Sequence, residues 1–182
     1  MPIEIGIWNI TDNKIDKIDF SSIDSEKRLE EILTKDISIL GDNYLIIGRQ
    51  VMTTYGKFID LLSIDQEGKL TIIELKKDKT PRDVVAQTLD YASWISELSY
   101  NEIKTICEEY YKGQKFEKVF EEKYGITAPD KINQEHDMLI VCSNLDNETE
   151  RILNYLSDSY NVPINVVFLR FFKDKNSEYL SR

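Results

Sequence analysis

Phe58-Ile59-Asp60-Leu61-Leu62-Ser63-Ile64 and, a turn later, Leu70-Thr71-Ile72-Ile73-Glu74-Leu75-Lys76 decide how this chain is read. Both are apolar runs of strand length. Between them Asp65-Gln66-Glu67-Gly68 supplies turn chemistry, with a glycine available for a positive φ. The spacing predicts a β-hairpin over residues 57–65 and 69–76. Side chains alternate faces along a strand, so Asp60 shares a face with Phe58 and Leu62, and Glu74 and Lys76 share one with Leu70 and Ile72. An unpaired charge on a buried face costs on the order of several kcal/mol. Two carboxylates and an amine set in adjacent apolar strands therefore call for a reason, and a cation site with a lysine beside it is one.

The segments on either side fit a layered α/β domain. Residues 3–20 read as a hairpin turning at Thr11-Asp12-Asn13. Asp24 or Ser25 is a plausible N-cap for a helix to about Lys35, with Leu29, Ile32 and Leu33 as its apolar stripe. Residues 43–52 form a strand. Thr80-Pro81-Arg82-Asp83 reads as a helix start, with Thr80 as N-cap and Pro81 at the first helical position, and that helix runs to about Leu98. One or two helices broken near Gly113 follow over 101–125. A buried strand from Met138 to Cys142, a helix over 147–159, a strand over 164–172 and a last short strand after Asp174 complete the order. Helix, three strands, helix, helical insertion, strand, helix and strand make an α/β sandwich with a mixed central sheet. The expected division is a single domain: N-terminal hairpin 1–22, core 23–98, helical insertion 101–136, and a strand-helix-strand over 137–182 that completes the sheet.

The chain has 182 residues, enough for one well-buried domain, and its 41% hydrophobic and 31% charged content suits a soluble one. No apolar stretch is long enough to span a bilayer, and Met1-Pro2-Ile3-Glu4-Ile5 lacks the start of a signal peptide; a cytoplasmic protein with no membrane partner is expected. Cys107 and Cys142 read as reduced thiols without metal-ligand spacing. A net charge of −10 argues against strong non-specific binding of nucleic acid, which depends on neutralising phosphates. It leaves room for an enzyme that holds DNA locally and lets a cation offset an acidic site.

Metal-assisted phosphodiester cleavage needs hard oxygen ligands for Mg²⁺ or Mn²⁺ and a group that orients or deprotonates a water. Asp60 and Glu74 supply oxygens, the Leu75 backbone carbonyl lies between Glu74 and Lys76, and Lys76 is placed for the water or the phosphate. On the first helix Glu26 borders the core-facing stripe and is the candidate third acid, whereas Glu30 and Glu31 read as a solvated face. On the second, Val84, Gln87, Tyr91, Ile95 and Leu98 form one inward stripe, and Gln87 is its polar member, in position to bond a site carboxylate or the water. Lys77, Lys79 and Arg82 are modestly favoured as phosphate contacts, and Arg170, Lys173 and Lys175 form a second basic cluster.

Asp60, Glu74-Leu75-Lys76 fourteen residues later and Gln87 eleven beyond Lys76 resemble the PD-(D/E)xK nuclease superfamily. The wording is most similar to its RecB-related, NucS-type endonuclease branch. Gly56-Lys57-Phe58-Ile59-Asp60-Leu61-Leu62, Ile73-Glu74-Leu75-Lys76-Lys77, Thr80-Pro81-Arg82-Asp83-Val84-Val85-Ala86-Gln87 and Asp90-Tyr91 carry the resemblance, as does Glu26-x-x-Leu29. It covers roughly residues 25–98, and Asn161 to Arg182 is also similar to a segment found after it in relatives. The resemblance implies a restriction-endonuclease-like αβββαβ core. It implies Asp60 and Glu74 as metal ligands, Lys76 as the catalytic lysine, Glu26 as an accessory acid and Gln87 as the site glutamine. Ile59 stands where the motif has proline, a common departure.

The function expected is a Mg²⁺- or Mn²⁺-dependent DNA endonuclease in repair, recombination or defence. Cutting two strands would favour a homodimer, and relatives often continue into a further domain. Two alternatives stand beside it. One is a catalytically silent module that docks nucleic acid or protein on the same fold. The other is a structural ion pair in which Glu74 and Lys76 satisfy each other while Asp60 and Gln87 point elsewhere. Tyr110, Tyr111, Phe116, Phe120 and Tyr124 read as core packing, and His136 as structural or surface.

Overall fold

In the computed structural model, residues 5–12, 14–77, 79–80, 82–175 and 177–182 are described, the side chains of 79 and 80 excepted. The elements are β1 (Ile7–Thr11), β2 (Lys14–Ile18), β3 (Phe20–Ser21), α1 (Glu26–Lys35), β4 (Leu45–Met52), β5 (Phe58–Ile64) and β6 (Leu70–Leu75). They continue with β7 (Lys79–Thr80), α2 (Asp83–Ile95), α3 (Tyr100–Tyr110), α4 (Phe116–Tyr124) and β8 (His136–Cys142). The last are β9 (Asn144–Leu145), α5 (Asn147–Asn154), β10 (Ile164–Phe168), β11 (Arg170–Asp174) and β12 (Ser177–Ser181).

Five strands make the central sheet in the order β10-β8-β6-β5-β4. β4, β5 and β6 are an antiparallel meander, while β8 runs parallel to β6 and β10 parallel to β8, so the sheet is mixed. With α1 before the meander, and α2 and then β8 after it, this is the expected αβββαβ order around a mixed central sheet.

Alternation along the strands sorts the core into two layers. Leu62, Ile64, Leu70, Ile72, Met138 and Ile140 meet residues of the helices that follow β6, including Val84, Tyr91, Ile95, Ile103, Phe116 and Phe120. Leu61, Ile73, Leu75, Leu139 and Val141 meet Leu29 and Leu33 of α1 and Phe171 of β11. The strands of this central region are apolar on both faces because both are covered. The aromatic series behaves as core: Phe116 and Phe120 are buried, Tyr111 Oη donates to the Ile46 carbonyl at 3.0 Å, and Tyr124 Oη to that of Ile64 at 2.7 Å. Both cysteines are buried, and neither is in a disulfide. His136 starts β8, half-buried.

Caps set several boundaries. Ser25 caps α1, its hydroxyl accepting from the Arg28 backbone N–H at 3.1 Å. Gly68, at φ 85°, closes the β5–β6 turn, where an added Cβ would sit 2.8 Å from Ile132 Cγ2. Gly113, at φ 91°, lies in the break between α3 and α4.

Two expectations change. The N-cap position of α2 is Arg82, not the expected Thr80: residues 79–80 pair with β9 as a short parallel strand, and the helix opens at Asp83 with no cap from the Arg82 side chain; Pro81 lies outside the described residues. The strand expected over 164–172 is two strands. β10 completes the central sheet, whereas β11 pairs with β12 and β3 in a separate three-stranded sheet. Backbone pairing thus joins β3, just after the N-terminal hairpin, to the C-terminal strands, an association that no local sequence pattern encodes. The hairpin itself forms as expected, although Asn13 at its turn is outside the described residues. Among the described residues, no helix is long and apolar enough to cross a membrane.

Ile72 is fully buried in the middle of β6, under the helical layer. Ile72→Ala is expected to lower the unfolding free energy by about 2–5 kcal/mol, read from urea denaturation. A loss below about 1 kcal/mol would mean that the layer repacks around the cavity.

Candidate active site

The β5–β6 ladder pairs Ile64 with Leu70, Ser63 with Thr71, Leu62 with Ile72 and Leu61 with Ile73, and stops. Continued by one step, it would bring Asp60 opposite Glu74. Beyond Leu61 the Asp60 carboxylate acts as acceptor instead, taking the Leu75 N–H on Oδ2 at 2.8 Å. On the other side of β6 pairing continues, with the Lys76 N–H donating to the Val141 carbonyl at 2.8 Å. The sheet opens between β5 and β6, and Asp60, Glu74 and Lys76 stand at the opening.

Glu74 is 1% exposed. Its Oε1 accepts from Lys76 Nζ at 2.7 Å, while Oε2 is buried with no hydrogen-bond partner among the described residues. Burial, then the negative charge of Asp60, pushes the Glu74 carboxyl up to about 7 despite Lys76. Asp60 is also raised, first by burial, against the help of the Leu75 N–H, the Gln50 amide and Lys76. For Lys76 burial works to lower the ammonium, but the bond to Glu74 and the fields of Glu74, Glu26 and Asp60 together hold it above its ordinary value. The cluster therefore favours the charged form of Lys76.

Of the other expected residues, Glu26 sits at the rim. It is exposed, its Oε1 accepts from the Lys77 N–H at 3.4 Å, and its charge bears on both Glu74 and Lys76. Gln87 is half-buried on α2, and its amide donates to Tyr91 Oη at 2.9 Å rather than to a carboxylate. Tyr91 in turn feels the charges of Glu74 and Asp60. Lys77 is half-buried and Arg82 exposed; the Lys79 side chain lies outside the described residues. The ion pair of the structural alternative is present, yet Asp60 remains within the same charge cluster.

Glu30 corrects the sequence reading. It is 5% exposed, not solvated: Oε1 accepts from Arg49 Nε, and Oε2 from Gln50 Nε2 at 2.5 Å. Gln50 Nε2 also donates to Asp60 Oδ1 at 3.0 Å. Sequence reasoning missed Glu30, Arg49 and Gln50. The available signal was two polar residues in succession, Arg49-Gln50, inside an otherwise apolar strand.

Among the described residues, no three His, Cys, Asp or Glu side chains are gathered so as to hold a metal ion by themselves. The pair present still suits a hard divalent cation. Mg²⁺ is commonly bound through one or two carboxylates, the remaining positions going to water and substrate phosphate. Glu74 Oε2 is a buried carboxylate oxygen without a partner, a costly arrangement unless something positive meets it.

Residues 25–107 match the family described as the Endonuclease NucS C-terminal domain. The segment that carries the site is NucS-like. Endonuclease NucS of Sulfolobus acidocaldarius is 25% identical over 95 residues, covering 52% of this chain and 38% of that protein. Endonuclease NucS of Mycobacteroides abscessus is 36% identical over 52 residues, 29% of this chain and 22% of that protein. Similar solved structures include a repair endonuclease from Pyrococcus abyssi, with TM-score 0.46, 14% identity, and 81% of this chain against 49% of that one. An EndoMS–dsDNA complex gives TM-score 0.48 and 15% identity, over 87% of this chain and 49% of that one. The chain spans less than half the length of the NucS relatives it matches.

Because Glu74 holds its proton more tightly in the folded chain than at its ordinary 4.5, ionising it costs stability as pH rises from that value towards about 7. Glu74→Gln removes this cost. Its urea midpoint is expected to gain on that of the wild type as pH rises through this window, and to hold a steady lead above it. A gap that does not change with pH would show that Glu74 does not titrate there.

Proposed function

We propose that this chain carries a metal-dependent DNA endonuclease of the PD-(D/E)xK type, hydrolysing phosphodiester bonds by attack of water. The observation that supports it best is Glu74 Oε2, a partnerless buried oxygen set beside Asp60 and Lys76 where β5 and β6 part. The NucS-like segment, residues 25–107, covers Glu26, Asp60, Glu74, Lys76 and Gln87, which makes phosphodiester cleavage the natural chemistry for this charge cluster.

Asp60 and Glu74 are the residues to hold Mg²⁺ or Mn²⁺, with the Leu75 carbonyl and Glu26 as further oxygens. The cation would supply Lewis-acid stabilisation of charge on the phosphate and acidify a water. Everything else falls to the chain itself. Lys76, kept charged by Glu74, is suited to a phosphate oxygen or to orienting the attacking water. The Leu75 N–H fixes one oxygen of Asp60, and the sheet on either side excludes bulk water from Glu74. Lys77, Lys79 and Arg82 are the proposed backbone contacts; local placement of positive charge matters here because the chain as a whole is acidic, at −10. A homodimer, or a further domain in a longer protein, would supply the rest of the duplex-binding surface.

Cleavage should be assayed with Mn²⁺ at low salt on duplex, mismatched, branched and single-stranded DNA, and is expected to stop in excess chelator. Asp60→Ala, Glu74→Ala and Lys76→Ala are each expected to lower the rate by at least about 10²–10³-fold, the scale for removing one preorganised charge from a hydrolytic site, with the fold retained by circular dichroism. Full activity in any one of the three, or in chelator, sinks the assignment. Absence of saturable Mn²⁺ binding, with none of these DNAs cleaved, would favour the silent binding module.

A further inference from the structure

Resting on the nuclease reading, we infer that Gln50, an exposed residue of β4, is a positioning residue for the Asp60 carboxylate and is itself anchored on Glu30. Three observations carry this.

The first is backbone conformation. Gln50 has φ 50°, in the left-handed region, which side chains other than glycine and asparagine seldom occupy. Such outliers persist where the surroundings enforce them, and they concentrate at functional sites. The enforcement is visible. The β4–β5 register slips between Ile46 and Gly48, and a Cβ on Gly48 would lie 2.4 Å from Val51 Cγ2. The strand is wrung over these four residues.

The second is direction. Neighbours in a regular strand point to opposite faces, so Arg49 and Gln50 should not reach one group together. Both bond Glu30, one on each carboxylate oxygen. The register, Arg49 against Leu61 and Val51 against Ile59, sets Gln50 opposite Asp60, and the left-handed turn breaks the alternation so that the same amide also meets Glu30.

The third is hydrogen-bond stoichiometry. An amide nitrogen has two protons. Gln50 spends one on Glu30 Oε2 at 2.5 Å and the other on Asp60 Oδ1 at 3.0 Å. Its carbonyl oxygen in that place would confront two carboxylates, so only this orientation works. Asp60 is then fixed at both ends, Oδ1 by Gln50 and Oδ2 by the Leu75 N–H. Since Arg49 already ties Glu30 to β4, attachment of α1 to the sheet does not depend on Gln50 alone.

A positioning role and a structural one make opposite predictions for Gln50→Gly. Glycine accepts the left-handed backbone without strain and lacks the amide. The expected result is a thermal midpoint no lower than wild type. Mn²⁺ binding to the DNA-free protein, measured by calorimetry, should weaken by about 10- to 100-fold, the usual loss when a group supporting a metal ligand is removed. kcat should fall with KM for DNA little changed. Gln50→Asn also tolerates this backbone, but its shorter amide cannot span both carboxylates; it is expected to lose Mn²⁺ affinity similarly, and it serves should the glycine variant fail to fold. Wild-type Mn²⁺ affinity and kcat in a folded variant of either kind would overturn the inference. So would a lowered thermal midpoint with metal binding unchanged, since that marks a structural tie. Wild-type protein that neither binds Mn²⁺ saturably nor cleaves DNA would overturn the nuclease reading itself and this inference with it.

Discussion

Everything at the candidate site follows from one substitution of acceptors: where β5 stops pairing with β6, the Asp60 carboxylate receives the Leu75 N–H. A sheet cannot leave a buried N–H without a partner, because an unmet donor costs about 1–3 kcal/mol. A side-chain carboxylate meets that need at a point where the strands separate, and so permits the separation. The opening in turn gives Glu74 and Lys76 room in an otherwise apolar layer. Removing Asp60 would thus remove both a charge and the device that keeps the sheet open.

The two acids are held in different ways. Glu74 lies deep, bonded on one oxygen to Lys76 and on the other to none of the described residues. Asp60 is gripped on both oxygens. Burial raises both carboxyls, the charge of Asp60 raises Glu74 further and that of Glu30 raises Asp60, so the ionised pair is an unfavourable arrangement in the absence of added positive charge. Lys76 offsets part of this and, half-buried, remains protonated because of it. The cluster thus carries more carboxylate charge than Lys76 alone offsets.

Much of this was legible in the sequence. Asp60, Glu74 and Lys76 stood out because charge in an apolar, period-two run is expensive, and that expense is local and readable. The αβββαβ order followed from hydrophobic period, caps and turns. The contribution of Glu30 was hidden because it depends on a partner nineteen residues away, Arg49, and on the left-handed turn at Gln50, neither of which a helical period can report. The placing of Gln87 was half legible: the period put it on the stripe with Tyr91, and the bond to Tyr91 rather than to an acid depends on side-chain geometry. β11 was read as an extension of β10 because nothing local marks where one strand leaves a sheet for another.

The parallel pairing of β6 with β8 places Leu70 against His136, so the chain must be made well past β6 before that strand acquires its second neighbour. During synthesis β6 is therefore an edge strand, six residues long and fully buried in the finished domain. A bare apolar edge of that kind invites pairing with other chains. Glu74 and Lys76, at its outgoing end, are the charged groups that oppose it. The feature that makes the folded domain locally costly thus makes its unfinished form less adhesive.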